Sequence, residues 1–163
     1  MMKTGNQGEK TGTLQKHYIT VKKEGMSMTL RELYSSIGED YEQALRVLRV
    51  EKLVDKHIRK FTQNGVIEAL LAAGEGMDAA QLFETSHAAK GNCGNLGLTK
   101  LCNASSEIAE EFRPGNLRRM TDEEVKGKLQ EIAALYAKTT DAIRRYEADI
   151  HNTGRSTERE KRT

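Results

Sequence analysis

The chain has 163 residues, 37% hydrophobic, 31% charged and 5% aromatic, with one Pro, two Cys and no Trp. This fits one domain with loose ends and excludes a collagen, a disulfide-stapled secreted domain and a membrane-spanning bundle, while so few aromatics argue against a β-sandwich. The net charge of +2 comes from the ends: residues 1–28 carry five Lys against two Glu, residues 151–163 four basic against two acidic residues, and residues 29–150 have 17 basic and 20 acidic residues, which lacks the clustered basic charge a nucleic-acid binder needs.

Residues 1–27 show no sustained period and are rich in Lys, Thr and Gly, apart from a short β-like patch at Tyr18–Val21. They are expected to be disordered or a non-native extension. Lys23-Glu24-Gly25 fits a purine-rich ribosome-binding sequence ahead of Met26 and Met28, so an internal start is a hypothesis that an N-terminal mass from native cells tests. No N-terminal apolar run resembles a signal peptide, so the expected location is cytoplasmic.

Thr29-Leu30-Arg31-Glu32 is a capping box that opens a short helix through Leu30, Leu33 and Tyr34 and ends near Gly38. A second stretch carries Tyr41, Ala44, Leu45 and Leu48, and a third, or a continuation, carries Val54, Ile58 and Phe61. Asn64-Gly65 is a C-cap signal. Val66–Ala73 reads as a further helix closed by a Gly74–Gly76 turn.

Asp78 caps a helix with an apolar line of Leu82, Ala89, Cys93 and Leu96, shared by Thr85 and Ser86. The next helix places Leu98, Leu101, Ser105, Ile108 and Phe112 on one side and stops at Pro114-Gly115. Thr121-Asp122-Glu123-Glu124 opens the last, with Val125, Leu129, Ile132, Tyr136, Thr139, Ile143, Tyr146 and Ile150 in alternating steps of four and three. That helix is expected to run about 30 residues, or about 45 Å. A charged, disordered tail is expected over 151–163. The pattern predicts an all-α fold, an up-and-down four-helix bundle with short extra N-terminal helices, over residues 28–150.

Of the four histidines, His17 and His151 fall in the end segments and His57 lies among Lys56, Arg59 and Lys60. His87 is different. Positions three, four and seven residues beyond it share its helical face, and these are Lys90, Gly91 and Gly94. The apolar line lies well round the helix, so His87 points outward beside one cation on a face stripped of side chains. Glycine inside a helix costs about 0.5–1 kcal/mol relative to Ala. Two glycines here make sense if something large must approach the imidazole. A neutral imidazole is nucleophilic and a neighbouring cation suits incoming negative charge, which together describe a phosphoryl-accepting histidine.

The segment resembles the histidine-containing phosphotransfer (HPt) domain, small stand-alone bacterial type. The family motif, His-x-x-Lys-Gly with a further Gly ten residues after the His, is matched by His87, Lys90, Gly91 and Gly97. Asp78 and Phe83 sit where the family commonly has Asp and an apolar residue. The resemblance extends through Gly94-Asn95-Leu96-Gly97-Leu98. Departures are Ser86 and Ala89, where the family often has Ala and Leu; both bear on side-chain fit beneath the face.

The resemblance implies a phosphorelay carrier. His87 would take a phosphoryl group through Nε2 from a receiver-domain aspartate and pass it to another. Lys90 would neutralise part of its charge, and Phe83, Gly91 and Gly94 would dock the receiver. The implied partners are response-regulator receiver domains, those of hybrid histidine kinases among them. Mg2+ would sit on the receiver, and this chain would need no cofactor and no metal of its own. A neighbouring helix should hold Nδ1, with Lys60 and Gln63 as alternatives. The chain shows no Gly-x-x-x-x-Gly-Lys-Ser/Thr loop, so it is expected to be a carrier and not a kinase. Neither nucleic acid nor a membrane is an expected partner, and the family implies a monomer. Other readings are a non-catalytic adaptor that docks receivers or other signalling proteins, and a metal or redox module using His87, Cys93 and Cys102. The basic run from Arg46 to Lys60 is a solvated face that could also steer an acidic receiver pocket.

Overall fold

The computed structural model describes residues 27–160, with side chains through Thr153. His17 and the expectations for residues 1–26 and 161–163 lie outside the described residues. These contain seven helices and no strand. The helices are α1 (Leu30–Ile37), α2 (Tyr41–Leu48), α3 (Glu51–Phe61), α4 (Val66–Gly76), α5 (Ala79–Asn95), α6 (Thr99–Glu111) and α7 (Asp122–Glu160). No helix among the described residues is long and apolar enough to cross a membrane.

The helix boundaries follow local chemistry. Thr29 and Glu32 form the reciprocal capping box of α1, and Gly38 closes that helix at φ 66. Asp40 caps α2 by accepting from Gln43 N. Arg49, at φ 73, breaks the chain between α2 and α3, so the third stretch is a separate helix. Asp78 caps α5 by accepting from Gln81 N at 3.1 Å. Thr121 and Glu124 exchange hydrogen bonds at the start of α7.

Two boundaries differ from the sequence reading. Helix α4 does not turn at Gly74 but continues to Gly76, with Met77 taking the left-handed conformation. Gly74 is buried, and a Cβ there would overlap the end of the Leu129 side chain. This glycine allows close approach of α7 and is not a turn residue. Helix α7 runs to Glu160, ten residues past Ile150. Its final stretch includes Arg155, Glu158 and Arg159, good helix formers that need no apolar face.

The described residues divide into a unit over 29–148 and a second containing 27–28 and 149–160. In the second, Met28 N donates to Asp149 Oδ2 at 2.6 Å, Thr153 Oγ1 donates to the Asp149 carbonyl, and His151 is exposed.

The core of the larger unit follows the apolar stripes. Leu30, Leu33, Tyr34, Val54, Ile58, Phe61 and Leu82 are buried, as are the α6 line from Leu98 to Phe112 and Val125, Leu129, Ile132, Thr139, Ile143 and Tyr146 of α7. Helix α5 packs between α4 and α6. Helix α7 reaches α3 through the Phe61–Tyr136 edge contact and a 2.6 Å bond from the Tyr146 hydroxyl to Asp55, and reaches α4 through a 2.5 Å bond from Tyr136 to Glu68. Lys128 pairs with Glu107 of α6 at 2.8 Å.

The α5–α6 turn is gripped by the N-terminal helices. The Tyr34 hydroxyl donates to the Leu96 carbonyl at 2.6 Å, and Asp40 N donates to the Gly97 carbonyl at 3.0 Å. The Glu39 carboxylate accepts from Thr99 N at 2.6 Å, capping α6 from another element. Gly97 sits at φ 66, and a Cβ there would overlap the Asp40 carbonyl oxygen.

Candidate functional site

Helix α5 separates its two faces as the sequence predicts. Leu82, Ser86, Ala89 and Cys93 are buried, while His87 and Gly91 are exposed. Ser86 satisfies its buried hydroxyl within the helix, donating to the Leu82 and Phe83 carbonyls. A polar residue beneath the His87 face is therefore tolerated without an unpaired group.

His87 rests on Phe83, one turn earlier, with ring centroids 5.7 Å apart and planes 30° from parallel. Phe83 is half-buried, and the Arg113 guanidinium lies over its ring at 5.5 Å. Arg113 itself is held by Glu110 through two nitrogen–oxygen contacts, Nη2–Oε1 at 2.6 Å and Nε–Oε2 at 3.2 Å. The Arg113 hydrogen bonds hold the Glu110 carboxyl below the usual carboxylate range, and the charges of Lys90 and His87 add to that effect. Three side chains of α5 thus share one patch with Glu110 of α6 and Arg113 just past its end: Phe83, His87 and Lys90.

The glycines differ from one another. A Cβ at Gly91 would meet nothing within 4 Å, so this position leaves the space beside His87 open. A Cβ at Gly94 would touch Cys102 Sγ at 3.4 Å, so Gly94 also serves the fit of α5 against α6. Lys90 is half-buried, and its carbonyl accepts a long bond, 3.5 Å, from the Cys102 thiol.

No hydrogen bond among the described residues joins His87 to Lys60 or Gln63, and both of those side chains are exposed. The nearest link between the end of α3 and α5 is Asn64 to Asn92 at 3.4 Å. His57 is exposed on α3, and Arg46, Arg49, Lys52, Lys56 and Lys60 are exposed along the basic stretch.

Cys93 and Cys102 are free thiols. Burial pushes the Cys93 thiol up to about 12 and also raises Cys102. Neither is activated as a nucleophile. Among the described residues no group of three or more His, Cys, Asp and Glu side chains is placed to hold a metal ion.

Sequence reasoning missed Glu110 and Arg113. Arg113-Pro114-Gly115 reads only as a helix stop, and the i, i+3 spacing of Glu110 and Arg113 is an ordinary surface pair. Their relation to His87 depends on how α6 lies along α5, which no local pattern encodes. The Phe83–His87 stack could have been found, because a spacing of four puts both rings on one face. No family model, no curated protein and no solved structure matches this chain.

Proposed function

We propose that this chain is a phosphohistidine carrier of the HPt type, accepting a phosphoryl group on His87 from a receiver-domain aspartate and passing it to another receiver. The observation that carries this reading is an exposed imidazole on a helix, backed by an aromatic ring, with Lys90 and an open Gly91 one turn on. On this reading α4 to α7 are the four-helix bundle, α1 and α2 are extra helices that clamp the α5–α6 turn, and α3 is an extra helix against α7.

The chemistry needs little from this chain. His87 Nε2 attacks phosphorus in line, the N–P bond forms, and the P–O bond to the receiver's aspartate breaks, returning a carboxylate. Lys90 offsets charge on the phosphoryl oxygens. The departing carboxylate and the Mg2+ belong to the receiver, so this chain is a carrier and not an enzyme with a complete active site. Gly91 leaves room for the receiver's loop, and Phe83 gives it an apolar contact beside His87. The form proposed for this role is a cytoplasmic monomer.

The test is incubation with phosphorylated receiver domains, followed by mapping of the label. An acid-labile, base-stable phosphate on His87, absent in His87→Gln, is the expected result. A folded wild type that takes no phosphate from any receiver, yet binds one as well as His87→Gln does, would favour the docking adaptor instead.

A further inference from the structure

We propose that Arg113 is a second phosphoryl-binding group, stored on Glu110 in the unloaded protein and released to phospho-His87 on loading. This inference rests on the phosphohistidine reading above. It concerns how long the phosphoryl group survives on His87, not whether His87 accepts it.

The geometry that points to this is a shared ring. Arg113 and His87 both lie against Phe83, the guanidinium at 5.5 Å and the imidazole at 5.7 Å from its centroid. Release requires the guanidinium to swing from Glu110 toward the imidazole beside the same ring, a movement its long, partly exposed side chain allows. Its present partner is easily left. The Glu110–Arg113 pair has side-chain exposures of 52% and 41%, so it is a solvated surface pair whose opening costs little.

Charge supplies the trigger. Before loading, the Glu110 carboxylate, a planar two-oxygen monoanion, anchors the Arg113 guanidinium through both oxygens. After loading, His87 carries a phosphoryl group with more charge and three acceptor oxygens. The guanidinium fork matches that group as well as it matches a carboxylate, and the larger charge wins the competition. Glu110 is then left facing the same anion, which opposes loading. The pair therefore acts in two directions: Arg113 prolongs the loaded state and Glu110 shortens it.

Hydrolysis of phosphohistidine proceeds through a protonated imidazole leaving group. A guanidinium on the phosphoryl oxygens disfavours that protonation and occupies the space of attacking water. Removing it should accelerate loss, most strongly toward acid pH.

The experiment loads the full chain with phosphoramidate and follows the phosphohistidine signal by phosphorus NMR across pH 5–9. Arg113→Ala should shorten the half-life about tenfold, the effect of one charge-assisted hydrogen bond. Its acid limb should move to higher pH. Arg113→Lys should recover part of the lifetime, having charge without the fork. Glu110→Gln should lengthen the half-life. A wild type that loads while Arg113→Ala and Glu110→Gln keep its half-life, or shift it in the same direction, overturns this inference alone. A folded wild type that does not load overturns the phosphohistidine reading itself, and this inference with it.

Discussion

Phe83 and His87 form a stacked pair on consecutive turns of α5, their ring planes 30° from parallel. The stack sets the Phe83 ring beside one face of the imidazole. In Phe83→Ala the ring should lose that support. Phosphoramidate loading should persist, transfer from a receiver should slow, and stability should fall by about 1–2 kcal/mol, as expected for truncating a half-buried aromatic. Urea unfolding and transfer kinetics on the same sample check both halves; equal transfer rates would show that Phe83 supports only the fold.

The two glycines beside the imidazole should behave differently. Gly91→Leu enters open space, so helix stability should hold or rise by up to about 1 kcal/mol, while transfer from a receiver falls at least about tenfold. Gly94→Leu extends past the first contact with Cys102 Sγ and should lower the melting temperature as well as transfer. Unchanged transfer in Gly91→Leu would remove the steric reason for a glycine beside His87.

Gly97→Ala should be the most damaging small substitution in the turn below the site. The added Cβ meets the Asp40 carbonyl oxygen, and the backbone sits at φ 66. The expected loss is about 2–3 kcal/mol, read by thermal or urea unfolding. A loss under about 0.5 kcal/mol would mean that α1 and α2 do not hold the α5–α6 turn in solution.

Much of this arrangement is legible in the sequence because it is local. The capping boxes at Thr29 and Thr121, the Asp78 cap and the α7 stripe from Val125 to Tyr146 all depend on residues within a few turns of each other. The outward His87 with its open Gly91 follows from the same helical spacing. What escapes is the meeting of separate elements. Gly74 reads as a turn until Leu129 of α7 is seen against it. Gly97 gains its meaning from the Asp40 carbonyl, and Arg113 from the Phe83 ring, across 30 residues of chain.

Glu39 gives the unit a defined pH response. Burial is the largest influence and raises its carboxyl above the ordinary carboxylate value, even though Thr99 N, Lys100 N and the Lys100 charge act in the opposite direction. A folded-state value above the unfolded one means the fold binds the proton more tightly. The stabilising contribution is complete below the unfolded value and is lost as pH rises through the folded one. Glu39→Gln removes that loss while keeping an oxygen to accept from Thr99 N. Urea unfolding from acid to neutral pH should show the wild type losing stability relative to Glu39→Gln as pH rises past the carboxylate range. Parallel curves for the two proteins would contradict this assignment.

The most direct test of the central claim is intact mass together with phosphorus NMR on the full chain after phosphoramidate treatment at neutral pH, with His87→Gln alongside. One added phosphate with a phosphohistidine signal, lost in the variant, is the result that a phosphoryl-accepting His87 requires. A phosphate that persists in His87→Gln, or none on a folded wild type, would contradict it.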